Sequence, residues 1–192
     1  AERGDERALE AVASRLDHGK SEAREAALEA LGRMARVGDA RGIRLASARL
    51  EDGDLFVRRA AVRSLAEVAK KGDPRAIHAV SLRLEHRDGA VRQAAVRGLS
   101  RVVQRGDEQA IDAVSLRLEH RDGSVRRAAT RGLAEVAGRG NKHAMSAVIT
   151  RLSHEDVEVR EDAKVALRQL AGRGDERAMV SLARAWSTGM VR

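Results

Sequence analysis

The stretch AVSLRLEHRDG occupies Ala79–Gly89 and returns letter for letter at Ala113–Gly123, 34 positions further on. Copying at a fixed offset is the mark of a structural unit that stacks on itself. The period extends well beyond that stretch. Gly-Asp pairs stand at Gly4-Asp5, Gly38-Asp39, Gly72-Asp73, Gly106-Asp107 and Gly174-Asp175, and Gly140-Asn141 completes the series. The chain divides accordingly into repeats 4–37, 38–71, 72–105, 106–139 and 140–173, with a partial sixth at 174–192.

Each repeat reads as two helices. In 72–105, Gly72 closes the preceding helix, because glycine tolerates the left-handed conformation of a helix end. Asp73 is an N-cap, and Pro74 follows at the first helical position, where its missing N–H costs nothing. Ile77, Val80, Ser81 and Leu84 make one stripe of helix A. A turn at Glu85–Arg87 leads to Asp88, the cap of helix B, whose stripe is Val91, Ala94, Ala95, Leu99 and Val102. Gly98 belongs to a column with Ala30, Ser64, Gly132 and Ala166. All five are small, which predicts close approach of a neighbouring helix. One such pair has too little core to fold alone, and stacking buries its second face. The prediction is an all-α solenoid of antiparallel helix pairs, one continuous domain over 1–192.

Composition agrees and narrows the function. The 192 residues include one Trp, one Phe and no Tyr, so the core must be Ala, Val, Leu and Ile. Cysteine is absent, which excludes disulfides, thiolate metal sites and cysteine nucleophiles. No apolar run approaches the roughly 20 residues of a membrane span. With no signal peptide visible, an intracellular setting is favoured. Net charge is +8, but 32 of the 37 basic residues are Arg, a bias that base composition alone could produce. The charge is uneven: repeat 38–71 has eight basic residues against five acidic, 72–105 has seven against three, and 4–37 has six against seven.

The motif D-x-x-V-R-x-A-A occurs at Asp54–Ala61, Asp88–Ala95 and Asp122–Ala129, and Asp156–Ala163 departs from it with Asp162 in place of Ala. With the surrounding text it resembles the HEAT-like repeats of the phycobilisome-lyase type, over the whole chain. Repeats of that family are commonly somewhat shorter. Tetratricopeptide repeats share the period but need aromatic and proline positions that are missing here, and armadillo repeats usually add a third helix. The resemblance implies a ladder of Asp54, Arg58, Asp88, Arg92, Asp122, Arg126, Asp156 and Arg160 along the turns, with Lys20 breaking the Asp column. We read this ladder as structural: the Asp caps helix B and can meet guanidinium groups.

Catalysis finds little support. His18, His86, His120 and His154 share a column, but stacked helices about 8–10 Å apart hold such side chains too far apart for one metal, and no third ligand is regularly placed. The column is read as polar residues near a helix C-terminus, so His120→Ala is expected to cost little. His-Glu pairs bind iron in some HEAT-repeat hydroxylases, yet only His154-Glu155 has that order here. Resemblance to bilin lyases would imply an enzyme, but no nucleophile or paired acid stands apart from the repeat pattern. No metal, cofactor or catalytic residue is expected. Arg15, Arg49, Arg83, Arg117 and Arg151 form another column, whose stems can cover apolar surface while the heads reach water or Glu85-type neighbours.

Two further columns lie on helix B, Glu29-Arg63-Arg97-Arg131-Val165 and Glu25-Arg59-Gln93-Arg127-Glu161. In HEAT-like solenoids helix B lines the concave face, so Arg59, Arg63, Gln93, Arg97, Arg101, Arg127 and Arg131 are the candidate partner-binding residues. The expected function is a non-catalytic protein-interaction scaffold for an acidic or extended partner. The alternative is nucleic-acid binding through the same Arg columns, similar to HEAT-like DNA-repair glycosylases, although aromatic platforms for bases are missing. Ala1-Glu2-Arg3 matches the tail of a helix B, and Trp186 falls in the buried Leu column of an unfinished repeat. Neither end reads as a polar cap, so weak end-to-end association is expected. Sedimentation at rising protein concentration checks it.

Overall fold

The computed structural model describes residues 3–172 and 174–189. Its packing divides into two compact units, Ala1–Gln104 and Arg105–Arg192, each taken by itself. All regular structure among the described residues is helical, and none of these helices is long and apolar enough to cross a membrane.

The first unit holds α1 (Glu6–Arg15), α2 (Ser21–Met34), α3 (Ala40–Ala48), α4 (Leu55–Val68), α5 (Pro74–Leu82) and α6 (Gly89–Val102). Helices α1, α3 and α5 are the A helices of three repeats, and α2, α4 and α6 are the B helices. Each A helix packs on its own B helix, α2 packs on α4, and α4 packs on α6. The second unit holds α7 (Glu108–Ser115), α8 (Gly123–Ala137), α9 (Lys142–Thr150), α10 (Val157–Leu170) and α11 (Glu176–Gly189). There α8 packs on α10 and α7 on α9, and α11 reaches both α9 and α10.

The A helices begin as predicted. Asp39 accepts from the N–H of Arg41 and Gly42, Asp73 from Arg75 and Asp107 from Ala110. Asn141 does the same for Ala144, so the odd letter in the Gly-Asp series keeps its function. Their ends differ from prediction. Helix A stops earlier, and a 3-10 turn follows, at Arg49–Glu51, Arg83–Glu85, Leu116–Glu119 and Arg151–Ser153. Leu84 therefore sits on this tighter turn rather than on the helix proper. The change of pitch turns the recurrent Leu inward: Leu50, Leu84, Leu118 and Leu152 on these turns are buried, as is Leu16 at the end of α1. The side chain of Trp186 lies outside the described residues.

The Arg column next to those leucines explains the early stop. Where helix A tightens, the Arg83 N–H turns to Val80 O, three residues back. That frees Ala79 O, which accepts instead from the guanidinium of Arg83 itself at 2.8 Å. Arg151 does the same for Ala147 O at 2.6 Å. The acidic partners come from the preceding repeat: Arg49 meets Asp17 at 2.6 Å, Arg83 Nε meets Glu51 at 2.9 Å and Arg151 Nε meets Glu119 at 3.1 Å.

The B helices bury the predicted stripe. Val91, Ala94, Ala95, Leu99 and Val102 are each 3% exposed or less. A Cβ placed on Gly98 would sit 3.0 Å from Val80 Cγ1, which accounts for the small-residue column at the A–B contact. The glycine that opens each repeat donates its N–H to the end of that repeat's helix B. Gly38 N–H donates to Val68 O at 2.7 Å, Gly72 to Val102 O at 2.8 Å, Gly106 to Val136 O at 2.8 Å and Gly140 to Leu170 O at 2.7 Å. Within the first unit these bonds tie the end of α2 to α4 and of α4 to α6, and within the second the end of α8 to α10. These glycines have φ between +76° and +88°. Gly140 has nothing within 4 Å of a built Cβ, so Gly140→Ala isolates the backbone cost. It should lower unfolding free energy by about 1–2 kcal/mol, read from the urea midpoint.

Candidate functional site

The ladder and the candidate binding columns both lie on helix B, and their surroundings separate them. Asp54 accepts from the N–H of Phe56 and Val57, Asp88 from Ala90, Asp122 from Ser124 and Asp156 from Glu158. Lys20, which stands first in that column, makes no side-chain cap. The ladder arginines turn back over the A–B corner. Arg58 donates to Asp52 O and Gly53 O at 2.6 and 2.9 Å, and Arg92 to His86 O and Arg87 O at 2.6 and 2.9 Å. Arg126 reaches His120 O at 2.9 Å, and Arg160 donates to His154 O and Glu155 O, both at 2.8 Å. A corner carbonyl has no helical partner of its own, and these charge-assisted bonds satisfy it.

Arg126 also explains the broken motif at Asp162. Its Nε meets Asp162 Oδ2 and its Nη2 meets Glu158 Oε2, each at 2.6 Å. Burial by itself would lower the pKa of Arg126, but the two carboxylates outweigh it and hold the group above the ordinary arginine value. Asp162 thus stands where the other repeats have Ala because it pairs with an arginine one repeat earlier.

The histidine column has a role that its place near the end of helix A does not reveal. Nδ1 of His18, His86, His120 and His154 accepts from the N–H two residues on, at 3.0–3.1 Å. Repeat two has Asp52 in this column, and Asp52 Oδ1 accepts from Asp54 N–H at 3.0 Å. The column is a side-chain acceptor that closes the corner, a task open to His or Asp. Among the described residues no group of three or more His, Asp or Glu is disposed to hold a metal ion.

The candidate binding residues differ among themselves. Arg59, Arg63, Arg97 and Arg101 surround one groove of about 220 Å³ between α4 and α6, floored by Leu55, Val62 and Ala94. Arg63 is already engaged by repeat one: its Nη2 lies 3.1 Å from Glu25 and 3.3 Å from Glu29. No acidic side chain among the described residues pairs with Arg59, Arg97 or Arg101, and all three are exposed. Gln93 is exposed on α6 and does not line the groove. Arg127 and Arg131 are exposed on α8, in the second unit.

The repeat pattern does not single out Leu55 and Phe56. They are 40% and 58% exposed, and the Arg59 guanidinium lies 6.0 Å from the Phe56 ring centre. Alignment of the repeats carries the signal, since Gly89-Ala90 and Gly123-Ser124 hold the same places.

The model of HEAT repeats matches residues 44–134. Among solved structures, one from work on TOG–tubulin binding specificity is 14% identical, with 93% of this chain and 79% of that chain covered and a TM-score of 0.57. An archaeal HEAT-like repeats protein from Thermococcus onnurineus NA1 is 16% identical over 98% of this chain and 81% of that chain, with a TM-score of 0.47. An engineered protein is 24% identical over 92% and 86% of the two chains, with a TM-score of 0.46. No curated protein matches significantly. The chain is thus similar to helical repeat proteins in fold.

Two outcomes test the corner. His120→Asp should keep stability near the parent, while His120→Ala should lose about 0.5–1.5 kcal/mol through loss of the bond from the Asp122 N–H, both read by urea denaturation. Acid should weaken the corner of the second repeat. Burial pushes the Asp52 carboxyl up, but its bonds from Arg24 at 2.8 Å and from the Asp54 N–H prevail and hold it below the ordinary 3.8. A carboxyl held low in the folded chain contributes in full above its unfolded value, and the contribution fades as pH falls through the lower folded value. The urea midpoint should therefore drop below pH 3.8. Asp52→Asn, which keeps the turn acceptor and removes the charge, should be less stable at neutral pH and lose less in acid.

Proposed function

We propose that this chain is a non-catalytic interaction scaffold that holds an acidic, extended protein segment against its helix-B face. The observation that carries this reading is the group of exposed arginines without acidic partners, Arg59, Arg97 and Arg101, around one groove. Exposed guanidinium groups facing a groove grip carboxylates bidentately. Arg127 and Arg131 offer the same chemistry on α8. Stacked helix pairs present such side chains on a rigid, extended surface, and the structural neighbour from work on TOG–tubulin binding has a protein as its partner. The likeness to phycobilisome-lyase-type repeats rests on the D-x-x-V-R-x-A-A motif and carries no catalytic residue with it.

The test is a double charge reversal, Arg97→Glu with Arg101→Glu. Both side chains are exposed and off the apolar stripe, so the melting temperature should stay near the parent's. Affinity for a labelled polyglutamate peptide should fall at least about tenfold, as expected for losing charge-assisted hydrogen bonds of about 1.5–3 kcal/mol each. Unchanged affinity would remove the helix-B face from consideration.

A further inference from the structure

Resting on the reading that this face takes an acidic segment, we infer that the groove between α4 and α6 is an anchor pocket for one aliphatic side chain of that segment, with carboxylates flanking the anchor. Three properties of the groove lead there. Its floor is apolar, made by Leu55, Val62 and Ala94. Its volume of about 220 Å³ is below the roughly 300–1,000 Å³ of pockets that enclose small molecules and suits a single side chain. Its Leu55 stands where repeats one, three and four have Ser21, Gly89 and Gly123, so those repeats lack this apolar side chain.

The charges around the floor orient the occupant. Arg58 lines the groove but is buried and committed to the corner carbonyls. Arg63 is held by Glu25 and Glu29, so the α2 side presents carboxylates and repels acidic groups. Arg97 and Arg101 on α6 stand without acidic partners, and Arg59 stands beside the Phe56 ring. A segment with its aliphatic residue in the groove would place its acidic residues toward α6 and Arg59. A nucleic-acid strand fits less well: its backbone has no aliphatic branch for the floor, and the α2 carboxylates repel phosphate.

Fluorescence anisotropy on the full chain tests this with three labelled probes. One is a short acidic peptide with a central leucine, the second has alanine in its place, and the third is a single-stranded oligonucleotide. The leucine peptide should bind at least about tenfold tighter than the alanine peptide, as expected for burying a leucine side chain. In Leu55→Ser, with the fold checked by circular dichroism, that ratio should shrink toward one. Arg97→Glu with Arg101→Glu should weaken both peptides. Equal affinity of the two peptides in the parent chain, with both lost on charge reversal, would overturn the anchor and leave the acidic-partner reading intact. An unchanged ratio in Leu55→Ser would likewise overturn this location. Peptide binding indifferent to the charge reversal would sink the acidic-partner reading, and the anchor with it. Tighter binding of the oligonucleotide than of either peptide would overturn both in favour of nucleic acid.

Discussion

The corner between helix A and helix B is the constraint on which the remaining packing depends. Within a few residues the chain leaves one helix, tightens, reverses and enters another, and every step strips backbone groups of their helical partners. Three side chains restore them in each of the third to fifth repeats. The ladder arginine takes the carbonyls of the corner, the histidine takes an N–H on its far side, and the aspartate takes the first N–H groups of helix B. Each of these bonds replaces a helical partner that the backbone has lost, so each supports the angle of the corner. The inward leucine and the close approach at Gly98 both follow from that angle.

These corner bonds change the meaning of a chain so rich in arginine. Many of its guanidinium groups serve the backbone or an acidic side chain of a neighbouring repeat. Arg24, Arg58, Arg92, Arg126 and Arg160 hold corners, and Arg49, Arg83 and Arg151 bind acids one repeat back. The net charge of +8 therefore says little about a partner until these are set aside. What remains on α4 and α6 is a small group, concentrated around one apolar depression.

Much of the fold was legible because it depends on local rules. A positive-φ glycine, an N-cap and a stripe of apolar residues each act within a few positions of themselves, so a 34-residue period transmits them directly. Arginine partners were less legible. A guanidinium on a long, rotatable stem can reach its own turn, the preceding repeat or solvent, and column position alone does not choose among them. Arg63 and Arg97 occupy equivalent places, yet Glu25 and Glu29 engage only the first. Asp162 looked like a flaw in the motif until Arg126 stood beside it. Distance from a helix end does not reveal the task of the histidine column, which depends on which ring nitrogen faces the N–H two residues on. Leu55 and Phe56 escape the repeat pattern because they lie outside the stripe, at the start of α4, and are exposed.

The bond from each opening glycine to the end of the following helix B has a further meaning for the history of such a chain. Donor and acceptor both lie inside the same 34-residue window, 30 positions apart, as in Gly72 and Val102. Duplicating or deleting one whole window leaves every such bond with both its members. Unequal recombination between copies as alike as Ala79–Gly89 and Ala113–Gly123 would lengthen or shorten the protein without leaving a broken seam, so its number of repeats is free to drift while the joint between them stays the same.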